Sequence, residues 1–256
     1  MTIAASLLAP RVAITGAGGP MGRAIAHRLL RAGARGLALT DISQTRLGAA
    51  VDELRAAFPA ADIVHLRSDV TIAAEAAAFA DLALAAGPID VLVNTVGGIR
   101  SRQLYTPLLE MTEEQWRATF DLNLMGPFHL IRAFAPGMKQ QGVGRIVNFA
   151  TIVFGGERGQ ADYAAAKAAV ASMTRSLAAE LAPEITVNAV APGLTRTSVT
   201  ENIPPDEAAR LVAGALIPRM AEPDEIAEAV AFFVSEPARF VTGEILAVSG
   251  GIHPHL

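Results

Sequence analysis

Tyr163 and Lys167, in the stretch YAAAK, stand four residues apart inside an alanine-rich segment patterned as a helix. At that spacing two side chains share one helix face, a turn from each other. A phenol with the usual pKa of about 10 is a poor base precursor near neutrality; a depression of roughly 3 units, about 4 kcal/mol, is needed. An ammonium one turn away supplies part of it, and a cationic ring on a bound cofactor would supply more. The pair reads as an acid/base couple that takes the hydroxyl proton of an alcohol, or returns a proton to a carbonyl. The competing reading is an ordinary amphipathic pair. Against it, the chain holds only two tyrosines, and the surrounding alanines carry no chemistry of their own.

Proton transfer is half of an alcohol oxidation; the other half is a hydride, which needs an acceptor. The stretch TGAGGPMG, Thr15 to Gly22, follows the apolar run Val12-Ala13-Ile14 and precedes a helical pattern. Such a turn also arises for steric reasons alone, so its context decides. Asp41 closes the second apolar run, about 20 residues on, where a dinucleotide fingerprint carries its ribose-binding carboxylate. A carboxylate there accepts from both adenosine ribose hydroxyls and repels a 2′-phosphate, and no basic residue lies between Gly16 and Gly22. Both features point to NAD rather than NADP. Pro20 lacks an N–H and has a fixed φ, costs that vanish at the first helical position. With the helix starting there, Gly16 and Gly18 shape the turn. Met21 and Gly22 then aim N–H groups at the pyrophosphate, which the helix dipole also favours. Tyr163 would take the alcohol proton as hydride passes to the nicotinamide, with Lys167 lowering the tyrosine pKa and holding the nicotinamide ribose.

The elements that must position these groups are legible as short apolar runs alternating with amphipathic segments. The strand candidates begin at Val12, Leu37, Ile63, Val91, Arg145, Thr186 and Ile245. Runs without polar alternation suit parallel strands buried on both faces. Helical patterns cover Met21 to Ala32, Thr45 to Phe58, Thr112 to Lys139, Tyr163 to Leu181 and Asp224 to Ser235. This alternation predicts an α/β single-domain Rossmann fold, a doubly wound seven-stranded parallel sheet with helices on both faces, spanning residues 1–256. The stretch 194–220, with Pro204-Pro205 and Pro218, breaks the rhythm after a strand end and is expected to form a substrate lid.

Composition narrows the function. The 256 residues are 52% hydrophobic with a net charge of −4, enough for one buried core and unsuited to a nucleic-acid partner. The absence of cysteine excludes disulfides, thiolate metal sites and a cysteine nucleophile. With no basic leader and no long apolar window, neither a signal peptide nor a membrane span is expected, and the location is read as cytoplasmic. His27, His65 and His129 fall on different elements and His253 and His255 near the end, without a carboxylate cluster, so no metal site is expected. Trp116 is read as helix packing. Arg100 and Arg102, after NTVGG, are solvated loop charges or contacts for an acidic substrate.

Several motifs in order resemble the short-chain dehydrogenase/reductase family, in its smaller single-domain form, over essentially the whole chain. They are TGAGGPMG, Asp69-Val70, NTVGG from Asn94, Asn123 in DLNLMG, IVNFAT from Ile146, YAAAK, VNAVAPGLTRT from Val187 and TGEILAVSGG from Thr242. The resemblance implies that Asp69 and Val70 sit at the adenine and that Asn94 steadies the cofactor-side strand end. It places Pro192 and Gly193 at the cofactor, with Thr197 reaching the nicotinamide carboxamide. It also implies that Asn123 bridges Lys167 to solvent through water. Three positions depart from the family: Pro20 for its middle glycine, Thr95 for its second asparagine, and Ala150-Thr151 where a serine is expected. Registering IVNFAT on Asn148 puts Thr151 on the serine position, to hydrogen-bond the substrate oxygen; a shifted register puts Ala150 there. The expected activity is NAD-dependent interconversion of a secondary alcohol and a ketone, in a homotetramer. The alternatives are a 3-oxoacyl-ACP reductase-like ketoreductase and a non-catalytic NAD-binding relative. NTVGG is also similar to the NNVGG of dehydrogenases acting on cyclic cis-diols.

Overall fold

The computed structural model describes residues 9–99, 103–197, 200, 203 and 205–252. Seven strands form one parallel sheet: β1 (Arg11–Ile14), β2 (Gly36–Asp41), β3 (Asp62–Arg67), β4 (Val91–Asn94), β5 (Gly144–Phe149), β6 (Ile185–Pro192) and β7 (Ile245–Val248). Their spatial order is β3-β2-β1-β4-β5-β6-β7. The chain thus builds outward from β1 to β3, then returns to β4 on the other side of β1. Ile14 faces Leu39 on one side and Val93 on the other. In an open sheet of this kind the crevice at the carboxyl ends of the strands on either side of the reversal is where a ligand is held.

Alternation along the strands divides the core. Val12, Ile14, Leu37, Leu39, Val91 and Val93 face α1 (Pro20–Arg31), α2 (Gln44–Ala57) and α7 (Pro223–Val234). Ala13, Ala38, Leu92, Ile146 and Val187 face α3 (Ala73–Ala85), α4 (Glu113–Gln141) and α5 (Ala161–Leu181). Both layers are apolar, which is why the strands read as continuous hydrophobic runs.

The helices begin and end on local chemistry. Ser43 caps α2 by accepting the Arg46 N–H, Thr112 caps α4 by accepting the Gln115 N–H, and Gly142 ends α4 in the left-handed region at φ 73°. α4 runs through Pro127 and Pro136. Each deletes one helical hydrogen bond, at the carbonyl four residues earlier. Two helices did not stand out in the sequence: α3, and α6 (Pro205–Val212) inside the stretch expected as a lid. The base of that stretch is closed by a bridge between Thr195 and Ala221, and Ile217 donates its N–H to the Gly250 carbonyl at 2.8 Å. Among the described residues, no helix is long and apolar enough to cross a membrane. Arg100, Arg102, Pro204, His253 and His255 lie outside the described residues.

Candidate active site

α1 starts at Pro20, with Gly19 as its N-cap, so the proline occupies the position where its missing N–H costs nothing. Before it, the Ala17 N–H is spent on the Thr40 carbonyl, the Gly18 N–H on Asp41 Oδ2 and the Gly19 N–H on the Gly16 carbonyl, each at 3.0 Å. The loop therefore offers an anion the N–H groups of Met21 and Gly22, which in the first helical turn have no intrahelical partner. Gly16 takes φ +62°, and a Cβ on Gly22 would run into the Gly16 carbonyl. A Cβ on Gly18 would stand 2.8 Å from the Arg46 Cβ. These close approaches make a cradle that side chains would fill, and a pyrophosphate fits it.

Pro20→Gly tests this helix start. The proline stiffens the unfolded chain at a compatible φ, so the substitution is expected to lower stability by about 0.4 to 1 kcal/mol without ligand. It also restores an N–H beside the anion site, so NAD⁺ is expected to bind as tightly as before or tighter. Calorimetry with and without NAD⁺ reads both quantities.

Asp41 is buried and more occupied than the sequence suggested. Oδ2 accepts the Gly18 N–H, while Oδ1 accepts the Ser43 N–H at 2.8 Å and the Arg46 guanidinium at 3.2 Å. The cation that the loop lacks thus arrives from α2. Asp69 holds the turn after β3, accepting the Thr71 N–H and hydroxyl at 3.0 and 2.6 Å. Val70 beside it is clamped by α4: a Cβ on Gly126 would stand 2.8 Å from Val70 Cγ2, and His129 Nδ1 lies 3.0 Å from the Val70 carbonyl. Asn94, expected at the cofactor, turns its amide inward to Asn148 Oδ1 at 2.9 Å. Asn148 passes the chain to Thr174 on α5 at 3.0 Å, so Asn94 braces the strand ends. Pro192 ends β6, and Gly193 passes so close to Ser249 that a Cβ would stand 2.9 Å from its Cα. The Thr197 N–H is held by Thr200 Oγ1 at 2.7 Å.

Across the crevice, Tyr163 and Lys167 sit in the first turns of α5. The Thr151 hydroxyl stands near the Tyr163 phenol, close enough to favour its charged form. Of the two registers left open by the sequence, the structure brings Thr151 to the tyrosine and packs Ala150 with Phe154, Ala171, Ala189 and Ala191. Thr151 can stand there because it leaves β5 and opens a short 3-10 turn, Ile152–Gly155. Lys167 is 3% exposed; its Nζ donates to the Phe149 carbonyl at 2.6 Å and lies 5.9 Å from the Tyr163 ring centre. Burial pushes the Tyr163 phenol up to about 12, opposed by the neighbouring Thr151 hydroxyl, and pushes the Lys167 ammonium down to about 7. Both shifts favour the neutral forms, so charge on the pair must be stabilised by something bound beside it.

The Asn123 side chain is fully engaged: Oδ1 accepts the Gly98 N–H at 3.1 Å, while Nδ2 donates to the Gly98 and Thr119 carbonyls at 2.8 and 2.7 Å. A water bridge to Lys167 would therefore fall to its main-chain carbonyl, whose helical partner is Pro127, with no N–H to give. Gly97 leaves room between the two groups. A Cβ there would stand 2.6 Å from Lys167 Nζ and 2.7 Å from Asn123 Oδ1. Sequence reasoning missed this glycine's role, and it missed buried Asp162, which accepts from the Thr119 hydroxyl at 2.8 Å and the Tyr163 N–H at 2.8 Å.

Comparisons with known proteins place this arrangement among relatives. A profile of the family described as Enoyl-(Acyl carrier protein) reductase matches residues 16–253. The short-chain reductase protein NovJ of Streptomyces niveus is 37% identical over 252 residues, covering 93% of this chain and 92% of that one. An acetoacetyl-CoA reductase of Allochromatium vinosum is 34% identical over 247 residues, covering 94% and 98%. The crystal structure of a 3-oxoacyl-[acyl-carrier protein] reductase from Brucella melitensis superposes with a TM-score of 0.87 at 31% identity, over 94% of this chain and 90% of that one.

Proposed function

Since the chain belongs to the short-chain dehydrogenase/reductase family and is an oxidoreductase of it, we propose that it binds NAD and interconverts a secondary alcohol and a ketone. The observation that carries this reading is the Thr151-Tyr163-Lys167 cluster facing the glycine cradle across the sheet's reversal point. With its pyrophosphate at the Met21 and Gly22 N–H groups of the cradle, the cofactor would supply the hydride acceptor or donor through its nicotinamide. The substrate oxygen lies between the Thr151 hydroxyl and Tyr163 Oη. Tyr163 takes the alcohol proton during oxidation and returns it during reduction. Lys167 stabilises the phenolate and would hold the nicotinamide ribose, and the Asn123 main-chain carbonyl would hold a water through which Lys167 exchanges protons with solvent. Residues 1–256 act as one NAD-binding domain, with 194–220 covering the substrate.

Thr151 separates this reading from a non-catalytic relative. A hydroxyl on the substrate oxygen fixes it within reach of the tyrosine. Thr151→Ser is expected to keep most of the turnover, and Thr151→Val, similar in shape but without the hydroxyl, to lose at least about tenfold, or 1.4 kcal/mol. Steady-state rates on one alcohol decide, and equal activity of the two variants would remove Thr151 from the reaction.

NAD is favoured because a carboxylate at the end of β2, Asp41, would repel a 2′-phosphate on the adenosine ribose, although Arg46 stands beside it as a counter-charge. NAD⁺ is expected to bind at least about tenfold tighter than NADP⁺, roughly 1.4 kcal/mol. Calorimetric titration with each cofactor measures the ratio; equal affinities would overturn the assignment. The names of the acetoacetyl-CoA and 3-oxoacyl reductases favour a second reading, ketoreduction of an acyl thioester, at the same residues. A screen of secondary alcohols, polyols and cyclic diols with NAD⁺, beside a 3-oxoacyl thioester with NADH and NADPH, chooses between them. Exposed Phe128 on α4, and Leu246 and Phe240 on and beside the edge strand β7, support assembly as a homotetramer.

A further inference from the structure

Thr95, which stands where the family has an asparagine, is tied to the cradle from the neighbouring strand. Its N–H and that of Val96 both donate to Thr15 Oγ1, at 3.0 and 3.2 Å, and its own hydroxyl donates to the Thr15 carbonyl. Thr15 is the residue before Gly16, and its N–H continues the ladder to the Val93 carbonyl at 3.1 Å. A peptide is planar, so holding the Thr15 carbonyl sets the plane of the Thr15-Gly16 bond and the direction from which Gly16 enters its left-handed turn. Gly16 in turn carries the carbonyl against which Gly22 packs, so the start of α1 is placed through this contact. The same segment continues into Gly97 and Gly98, which abut Lys167 Nζ and bind Asn123.

From this geometry we infer that Thr95 is a positioning residue whose hydroxyl joins the dinucleotide cradle to the Lys167-Asn123 side of the site, setting cofactor affinity from outside the cradle. The inference rests on the dinucleotide-binding reading above. A hydroxyl that merely stabilised the strand end would lower the melting temperature without changing affinity. One that aligns the cradle must change affinity in the folded protein, and a residue that restores the hydroxyl must recover it.

The experiment titrates NAD⁺ by calorimetry into the full-length parent, Thr95→Val and Thr95→Ser, and records each melting temperature without ligand. Thr95→Val is expected to weaken NAD⁺ binding at least tenfold, and Thr95→Ser to bind within twofold of the parent. If Thr95→Val does not fold, Thr95→Ala must show the same loss. A valine variant that melts lower but binds NAD⁺ with the parent's affinity overturns the inference alone. So does a serine variant as weak as valine, since the methyl would then be the active part. A parent that binds neither NAD⁺ nor NADP⁺ overturns the dinucleotide reading and this inference with it.

Discussion

Tyr163→Phe is expected to reduce turnover by at least about a thousandfold while leaving NAD⁺ affinity within about twofold of the parent. The phenol is the one group placed to exchange a proton with the substrate oxygen, and general acid/base catalysis by a positioned side chain is worth about 10²- to 10⁴-fold. Phenylalanine keeps the ring, and with it the face toward Lys167 Nζ. Only the phenol oxygen, and its interaction with the Thr151 hydroxyl, is lost. The unliganded phenol is held up to about 12 by burial, so it is neutral across ordinary pH in the free protein. Alcohol oxidation by the parent should therefore become faster with rising pH, as the base form becomes accessible once cofactor and lysine charge are in place. The phenylalanine variant should lose that dependence. Turnover across pH 6 to 10, with calorimetric NAD⁺ binding on the same samples, checks both halves. Retention of more than a tenth of the parent's rate would remove Tyr163 from the proton transfer.

The features legible in the sequence were those decided by neighbours along the chain. Strands buried on both faces announce themselves as apolar runs, and all seven were found in order. Pro20 marked the start of α1 because its cost and benefit are local. By contrast, α3 is a run of alanines with apolar residues on all sides, and no single face separates it from its flanks. α4 passes through two prolines because packing on α3 and α5 outweighs the lost hydrogen bonds. In the site, the types and order of the polar residues could be read, but not what holds them. The Gly18 N–H on Asp41, the clamp on Val70 and the tie between Thr15 and Thr95 join residues that are far apart in the chain. Such partners exist only after the sheet has assembled: β1 must lie beside β2 for the first and beside β4 for the last. Asn94 shows the same limit from the other side, since nothing local says its amide turns to Asn148 rather than to a ligand.

Lys167→Met is expected to abolish turnover and weaken NAD⁺ binding, and yet to raise the melting temperature of the ligand-free protein at pH 6. The ammonium is 3% exposed, with the Phe149 carbonyl as its hydrogen-bond acceptor and no carboxylate among its partners. Burial pushes it from 10.5 to about 7. Below pH 7 the lysine is charged in both states, and the folded state carries the whole cost of the buried charge. Between pH 7 and 10.5 the unfolded chain holds a proton that the folded one has released, so the parent's stability rises with pH across that window. A displacement of this size corresponds to roughly 4 to 5 kcal/mol at about 1.4 per unit. Methionine removes the charge at similar length and leaves the Phe149 carbonyl short of one donor, a loss of about 1 to 3 kcal/mol. The first effect is the larger, so the variant should melt higher at pH 6, and its advantage should shrink steadily toward pH 10. Thermal unfolding of both proteins at pH 6, 7, 8, 9 and 10 reads the slope directly. A methionine variant that melts lower than the parent at pH 6, or an advantage that grows with pH, would show that the lysine is not carrying a buried charge. A lysine that destabilises the free protein and is nonetheless required for turnover is held in place by what it does when cofactor and substrate are bound.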